Sequence, residues 1–296
     1  MGNHRLQLLA ILLAAIFAPT SAPPSQRTVA PVIRQVDHIL VETGDPQSLF
    51  DFFSETLQLP VAWPIADYQG FTSGGVAAGN VNIEIIRSEN TKDRATRKRP
   101  AARFLGIALE PFSLARSLPE LASRGIPCGT PQSYVSKLPD GSQGTSWTTV
   151  SLPQYENPSL SVFLCEYNPK FLNVDIRRTQ LGGQLVLSKG GPLGIAWVKE
   201  IVLGTTRLEA DRLLWRNLLL PTAPSWPDVW LLGNGPALRL VSSAREGIQG
   251  LLIRVESLGQ AREFLEKKHL LGKASSTAIQ INPARIQGLN IRLIEN

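Results

Sequence analysis

The sequence predicts an α+β fold built from four tandem copies of one module, in which a strand and a helix are followed by three strands (βαβββ). The first observation is an internal repeat: the stretch from Val36 to Glu42 leads into an amphipathic helix that ends at Leu59-Pro60. The stretch from Val198 to Gly204 does the same and ends at Leu220-Pro221. The second observation is that alternating β-rich runs and helical apolar stripes recur in the same order along the chain. A repeat of this kind indicates duplication and determines the architecture.

The first module runs from residue 33 to residue 87. Residues 33–41 are β-rich and alternate in polarity, which is typical of a half-buried strand. Asp45 and Pro46 mark a helix start, since proline is tolerated in the first helical turn. Glycines and prolines then separate three short strands, of which the last is residues 81–86. The apolar residues at helical spacing, which predict the core stripe of the helix, are Leu49, Phe50, Phe53 and Leu57.

The later modules repeat this order. The second, residues 104–167, has a strand at 104–109, a helix ending at Gly125 and strands at 134–135, 145–150 and 160–167. The third and fourth occupy residues 195–242 and 248–294. The predicted organisation is therefore a signal peptide (1–22), a flexible lead-in (23–32), a first domain (33–167, modules 33–87 and 104–167), a linker (168–194) and a second, degenerate domain (195–296).

The N-terminus predicts export. A short basic start, an apolar run from Leu6 to Ala18 and small residues up to Ala22 have the layout of a secretory signal and are too short for a membrane span. An uncleaved anchor is the alternative. We expect a periplasmic or extracellular protein with no further membrane contact, because no later segment approaches about 20 consecutive apolar residues.

Composition limits the classes of partner. Hydrophobic residues make up 43% and charged residues 18%, which is an ordinary globular balance. The net charge is +6, or +5 once Arg5 leaves with the signal. The basic excess lies in the run from Lys92 to Arg99, which we interpret as a solvated loop; an anionic partner is the alternative. We expect no nucleic-acid binding, because no recognition motif or interleaved aromatics accompany the charge. Of the two cysteines, Cys165 lies in an apolar strand and predicts a buried free thiol.

The module order resembles the vicinal oxygen chelate superfamily, which includes glyoxalase I, bleomycin-resistance proteins and extradiol dioxygenases. The residues that carry the resemblance are Val36-Asp37-His38-Ile39, which open the first module, and the closing strands at 81–86 and 161–167. The resemblance implies that paired modules form a curved mixed sheet around a cavity. With four modules in one chain, pairing within the chain is possible, so we expect a monomer.

The resemblance also implies a site for a divalent metal such as zinc, iron, manganese or nickel. His38 matches the ligand on the first strand, and Glu84 and Glu166 match the ligands on the two closing strands. One imidazole and two carboxylates suit such an ion, and either glutamate could also accept a proton. Strand alternation places Ile83 and Ile85 on the helix side and Glu84 in the cavity. We assign Cys165 and Tyr167 the helix side in the same way, which turns Glu166 inward. Each of the three ligands has a structural alternative, as a paired core histidine or an exposed glutamate.

The pattern is incomplete elsewhere. The family takes another ligand from the first strand of the second module, where Ile107 stands near the position of His38 and cannot bind metal. In the second domain, Glu200 replaces His38, while Arg239 and Arg292 replace the closing glutamates, which predicts an ion-paired interior or an anion site. The middle-strand aromatics that we expect to line the pocket are Trp63, Tyr68, Phe71 and Trp147.

Three functions follow from these observations. The first is a metal-dependent lyase, isomerase or dioxygenase that acts on a small oxygenated molecule. The second is a metal-free small-molecule binding protein of the bleomycin-resistance kind, and the third is a degenerate structural member. The missing ligand at Ile107 favours the second and third, whereas the set of His38, Glu84 and Glu166 favours the first.

Overall fold

The structure is a computed structural model that describes residues 29–68, 70–88, 101–226 and 228–295. The predicted signal peptide, most of the lead-in and the basic run at 92–99 lie outside the described residues.

The order of strands and helices follows the predicted module pattern. The strands of the first half are β1 (Ile33–Thr43), β2 (Val61–Tyr68), β3 (Phe71–Ala77), β4 (Asn82–Ser88), β5 (Ala102–Pro111), β6 (Gln132–Lys137), β7 (Gln143–Ser151) and β8 (Ser161–Tyr167). The strands of the second half are β9 (Ile195–Thr205), β10 (Val229–Trp230), β11 (Ala237–Ser242), β12 (Gly247–Val255), β13 (Leu271–Ala274), β14 (Ala278–Ile281) and β15 (Ile291–Ile294). The helices are α1 (Pro46–Asp51, continued by a π-helical turn, Phe52–Thr56), α2 (Leu114–Ser123), α3 (Val174–Leu187), α4 (Leu208–Leu219) and α5 (Leu258–Lys267).

Each pair of modules joins into one sheet through its first strands. The first sheet has eight strands in the order β2-β3-β4-β1-β5-β8-β7-β6, with β1 and β5 antiparallel at its centre. The second has seven strands in the order β10-β11-β9-β12-β15-β14-β13, with β9 and β12 antiparallel. Both are curved mixed sheets, which confirms the predicted fold class. The third module departs from the pattern, because in its described residues only β10 and β11 follow helix α4.

Local sequence sets the helix starts. Asp45 accepts a hydrogen bond from the backbone N–H of Ser48 at 3.1 Å, and Pro46 follows it in the first turn of α1. Ser113, Asn173 and Ser257 cap α2, α3 and α5 in the same way. Such caps satisfy N–H groups that the first turn leaves without partners.

The core lies between the sheets and their helices. Ile39, Ile83 and Ile107, from three neighbouring strands, are fully buried on the helix side of the first sheet, with Leu49 and Phe53 of the first helical segment in the same apolar cluster. No helix in the described ranges is long and apolar enough to cross a bilayer.

The predicted linker contains a helix that the sequence pattern did not indicate. Helix α3 has only Leu181 and Leu185 buried, while Ile176, Val186 and Leu187 are exposed. Its amphipathic pattern is therefore weak, and the two adjacent glycines, Gly182 and Gly183, favour the reading as a loop. The helix joins the two halves and supplies side chains to the first sheet.

Candidate functional site

An irregularity in β1 brings two polar side chains together. In the ladder between β1 and β5, Val36 pairs with Leu109 and His38 pairs with Ala108. Asp37 therefore has no partner residue on β5 and forms a bulge. A bulge of this kind redirects side chains that strict alternation would send to opposite faces. Asp37 Oδ2 lies 2.7 Å from His38 Nδ1, and both residues are buried.

Glu84 meets the other nitrogen of the same ring. It lies on β4, two residues beyond Asn82, which is the partner of His38 in the parallel ladder. Glu84 Oε2 lies 3.0 Å from His38 Nε2. Ser73 donates to Glu84 Oε1 at 2.6 Å, and the Trp63 indole N–H donates to the Ser73 hydroxyl at 3.1 Å. The structure therefore brings His38, Glu84 and Trp63 to one place.

These contacts fix the charge of the imidazole. Burial by itself lowers the pKa of His38, but the hydrogen bonds and charges of Asp37 and Glu84 outweigh burial and raise that pKa from 6.5 to about 10. Burial likewise raises the pKa of Asp37 and of Glu84, and their contacts with His38 outweigh it, so both carboxyl pKa values are lowered. The site thus holds an imidazolium between two carboxylates at neutral pH.

A chain of ion pairs extends from this imidazolium to α3. Arg178 Nη2 lies 2.7 Å from Asp37 Oδ1, and Arg178 Nη1 lies 2.6 Å from Glu110 Oε2. Arg34 Nη1 lies 2.9 Å from Glu110 Oε1, and its Nη2 lies 2.8 Å from Asp175 Oδ1. Charges of opposite sign therefore alternate from β4 through β1 and β5 to the helix.

Glu166 does not join this group. Its Oε1 accepts a hydrogen bond at 3.0 Å from the backbone N–H of Leu114, at the start of α2. On β8 it is Phe163 that packs edge-on against the His38 ring, with centroids 5.9 Å apart, and Tyr167 that donates to Asp37 Oδ2 at 3.2 Å. The inward side of β8 therefore carries the odd-numbered residues, and the expectation that Glu166 points inward is wrong by one position.

The ladder registers explain this shift. His38 lies opposite Ala108, and Ala108 is paired with Phe163. The position two residues beyond Phe163, which corresponds to Glu84, is therefore Cys165. Ile107, which we aligned with His38, is instead paired with Ile39 and fully buried in the core. Cys165 is a buried free thiol, as the sequence predicts.

The other predicted pocket aromatics form a cluster where the sheet edges meet. Tyr68 on edge strand β2 stacks on Phe71 at 5.3 Å and approaches Tyr134 of the opposite edge strand β6 at 6.2 Å between centroids. Tyr134 stacks on Trp147 at 4.2 Å, and Trp147 lies 5.9 Å from Phe171. These five residues, which we call the aromatic seam, bring together the two edges of the curved sheet.

The donor set does not fit the implied metal. Two neighbouring ligands of a divalent ion with bonds of about 2.1 Å lie about 3 Å apart, so the His38–Glu84 separation alone suits either a metal or an ion pair. However, no group of three His, Cys, Asp or Glu side chains that could hold a metal occurs in the described part of the chain. Both nitrogens of the His38 ring already contact carboxylates, so neither faces an open position.

The second half carries an ion pair in place of this group. Glu200 is buried, and both of its oxygens contact the Arg239 guanidinium, at 2.6 and 2.7 Å. Arg292 is exposed on β15. The structure therefore places one of the two predicted arginines beside Glu200.

One cleft lies away from His38. It is open, has a volume of about 760 Å³ and lies between α3, the turn between β3 and β4, and the start of β9. Its walls include Asn80, Val186, Trp197 and Asn234.

The sequence did not identify Asp37, Glu110, Tyr167 and Arg178 as site residues. Asp37 was visible as a charged residue inside an apolar strand, next to a histidine. Arg178 carried no such signal, because it lies in the segment that we interpreted as a linker and 141 positions away from Asp37.

Comparison with solved structures shows the fold. Homoprotocatechuate 2,3-dioxygenase from Arthrobacter globiformis matches with a TM-score of 0.55 at 10% identity, covering 92% of this chain and 83% of that one. The 2,3-dioxygenase LapB from Pseudomonas sp. KL28 matches with a TM-score of 0.57 at 12% identity, covering 90% and 93%. A hypothetical protein from Staphylococcus aureus matches with a TM-score of 0.58 at 11% identity, covering 88% and 99%. No family model and no curated protein matches the sequence. The likeness to extradiol dioxygenases is consistent with the vicinal oxygen chelate fold.

Proposed function

We propose that this protein is a metal-independent small-molecule binding protein built on the vicinal oxygen chelate fold. The observation that carries the proposal is the environment of His38, whose two ring nitrogens each face a buried or half-buried carboxylate. With Asp37 on Nδ1 and Glu84 on Nε2, both ring nitrogens are already engaged by carboxylates within the protein. The orientation of Glu166 towards α2 supports the same conclusion, because it removes the third ligand.

The described residues can bind a ligand in two ways. The inner wall supplies fixed charges of both signs on Asp37, His38 and Glu84, which orient polar groups, and these residues are held in place by their mutual contacts. The aromatic seam supplies half-buried ring faces where the two edges of the sheet meet. A small molecule with a planar apolar part and a charged group has the chemistry that matches both.

A metal-dependent dioxygenase or lyase is the second candidate. The fold likeness to two dioxygenases favours it, as does the 3.0 Å separation of His38 Nε2 and Glu84 Oε2. It requires a third ligand and a neutral His38.

Metal analysis separates the two candidates. The mature protein is expressed in medium supplemented with iron, zinc, manganese and nickel, and its metal content is measured by mass spectrometry beside His38→Ala and the control His269→Ala. His269 is exposed at the end of α5, so its removal leaves the site intact. We expect far less than one equivalent of metal in all three proteins. About one equivalent in the wild type and in His269→Ala, lost in His38→Ala, would establish the metal enzyme instead.

We further propose that the protein is exported to the periplasm or beyond and acts there as a monomer with two domains. The layout of residues 1–22 supports export, and the presence of four modules in one chain supports pairing within the chain. Intact-mass measurement of the protein from the periplasm and medium tests cleavage after Ala22, and light scattering tests the monomer. An intact signal or a stable dimer would contradict these points.

A further inference from the structure

Two carboxylates of the first sheet hold a guanidinium that comes from outside the sheet. Asp37 is 3% exposed, and the Glu110 side chain is 12% exposed. Arg178 reaches them from α3. Its Nη2 donates to Asp37 Oδ1 at 2.7 Å, and its Nη1 lies 2.6 Å from Glu110 Oε2, an ion pair without hydrogen-bond geometry. The two carboxylates therefore flank one planar cation, and a guanidinium or amidinium group can face both of them at once. A metal ion would need the same oxygens to converge on one point.

The acceptors are held in place without Arg178. Asp37 Oδ2 accepts from Tyr167 at 3.2 Å and lies 2.7 Å from His38 Nδ1. Glu110 accepts from Gln35 at 3.0 Å and from Arg34 at 2.9 Å. We call the group Asp37, Glu110, Gln35 and Tyr167 the cradle. Because donors of β1 and β8 already orient both carboxylates, the cradle keeps its geometry when its occupant leaves.

The helix that supplies the occupant is lightly attached. Only Leu181 and Leu185 of α3 are buried, so little apolar surface holds it against the sheets. Its polar anchors near the cradle are Asp175, which pairs with Arg34, and Arg177, which donates to the carbonyls of Val61 and Ala62. Segments with few buried apolar contacts open locally at a small fraction of the cost of global unfolding.

We infer that the cradle is a binding site for the guanidinium or amidinium group of a small molecule, and that Arg178 is its internal occupant while α3 is closed. The inference rests on the proposed metal-free binding function and names the class of its ligand. A ligand of this class displaces Arg178 and releases α3, and its remaining part lies against the inner wall of the sheet.

Chemical rescue tests the inference. Arg178→Ala empties the cradle, and methylguanidinium at low millimolar concentration refills it. Methylammonium is the control compound, since it carries the same charge on a single nitrogen and has no planar guanidinium. At ten times its dissociation constant, a ligand shifts the folding equilibrium about elevenfold. We expect methylguanidinium, and not methylammonium, to raise the melting temperature of Arg178→Ala. The control variant is Arg103→Ala, which removes a half-exposed guanidinium from Glu42 outside the cradle. An equal response of both variants, or no response of a folded Arg178→Ala, would overturn the inference.

Hydrogen exchange of the wild type gives an independent test, which decides the matter if Arg178→Ala does not fold. Benzamidine carries a planar amidinium, and benzamide is its neutral counterpart of the same shape. We expect benzamidine to increase amide exchange in residues 174–187, because it competes with Arg178 and releases α3. Equal exchange with both compounds refutes the inference. Metal content is read separately, so a metal-loaded wild type defeats the proposed function, whereas failed rescue of a metal-free protein defeats only the ligand class.

Discussion

The charge on His38 makes the folding stability fall as the pH rises in the alkaline range. One substitution at His38 removes this dependence. The pKa of His38 is about 10 in the folded protein, against an ordinary value of 6.5. A group whose pKa is raised by folding stabilises the folded state fully below its unfolded pKa, and the contribution is lost as the pH rises through the folded pKa. The perturbation is His38→Gln, which keeps a polar side chain and removes the titration.

The size of this contribution to stability follows from the rise of the His38 pKa from 6.5 to about 10. At about 1.4 kcal/mol for each unit, the contribution is about 5 kcal/mol below pH 6.5 and falls by about 2 kcal/mol between pH 8 and pH 10. In that window Asp37 and Glu84 are ionised in the unfolded chain and do not add to the slope.

The assay is urea unfolding followed by tryptophan fluorescence at intervals from pH 8 to pH 10, for the wild type, His38→Gln and the control His269→Gln. We expect the free-energy difference between the wild type and His38→Gln to narrow by about 2 kcal/mol over this range. His269→Gln should follow the wild type throughout. A difference that stays constant between pH 8 and pH 10 would show that His38 is neutral and would remove the basis for a metal-free site.

Three further outcomes follow from single contacts. Glu166→Ala removes the side chain that accepts the first N–H of α2, so we expect a loss of about 1 kcal/mol in urea unfolding and no change in metal content or ligand binding; lost binding with full stability would return Glu166 to the site. Gly75→Ala places a methyl group 2.5 Å from the Trp63 ring. We therefore expect about 1–3 kcal/mol of destabilisation and a shift in tryptophan emission. Unchanged stability would mean that the ring does not cover this position. In Gly182→Ala, the added methyl group on α3 meets nothing within 4 Å. The free energy of unfolding should therefore rise by about 0.5–1 kcal/mol, and amide hydrogen exchange in α3 should slow. A loss of stability would mean that this face of α3 packs against the protein.

The fold was accessible from sequence because its signals are local. Alternation in residues 33–41, a proline in the first helical turn at Pro46 and glycines between short strands each report on a few neighbouring residues. The repetition of this order from module to module then fixed the architecture, since duplicated modules pair in the same way.

The site was only partly accessible because its geometry depends on relations between strands. Alternation correctly put Ile83 and Ile85 on the helix side of β4, but it cannot say which of two neighbouring residues on β8 faces inward. That choice is set by the pairing of Ala108 with Phe163. The bulge at Asp37 is likewise a property of two strands together, and the sequence of β1 alone gives no sign of it.

The contribution of Arg178 was inaccessible for a different reason. Its helix has two adjacent glycines and little amphipathic pattern, so no local signal separates it from a loop. Its partner Asp37 lies 141 positions earlier, and a single sequence carries no information on a contact of that range.

The contacts of Arg177 with β2 have a consequence for behaviour in concentrated solution. An outermost strand with unpaired carbonyls invites a strand from another molecule, and this pairing begins many aggregates. The Arg177 guanidinium occupies the carbonyls of Val61 and Ala62 on just such a strand. A ligand that releases α3 therefore also exposes the backbone carbonyls of edge strand β2. Prolonged saturation with that ligand should make the protein aggregate faster in concentrated solution.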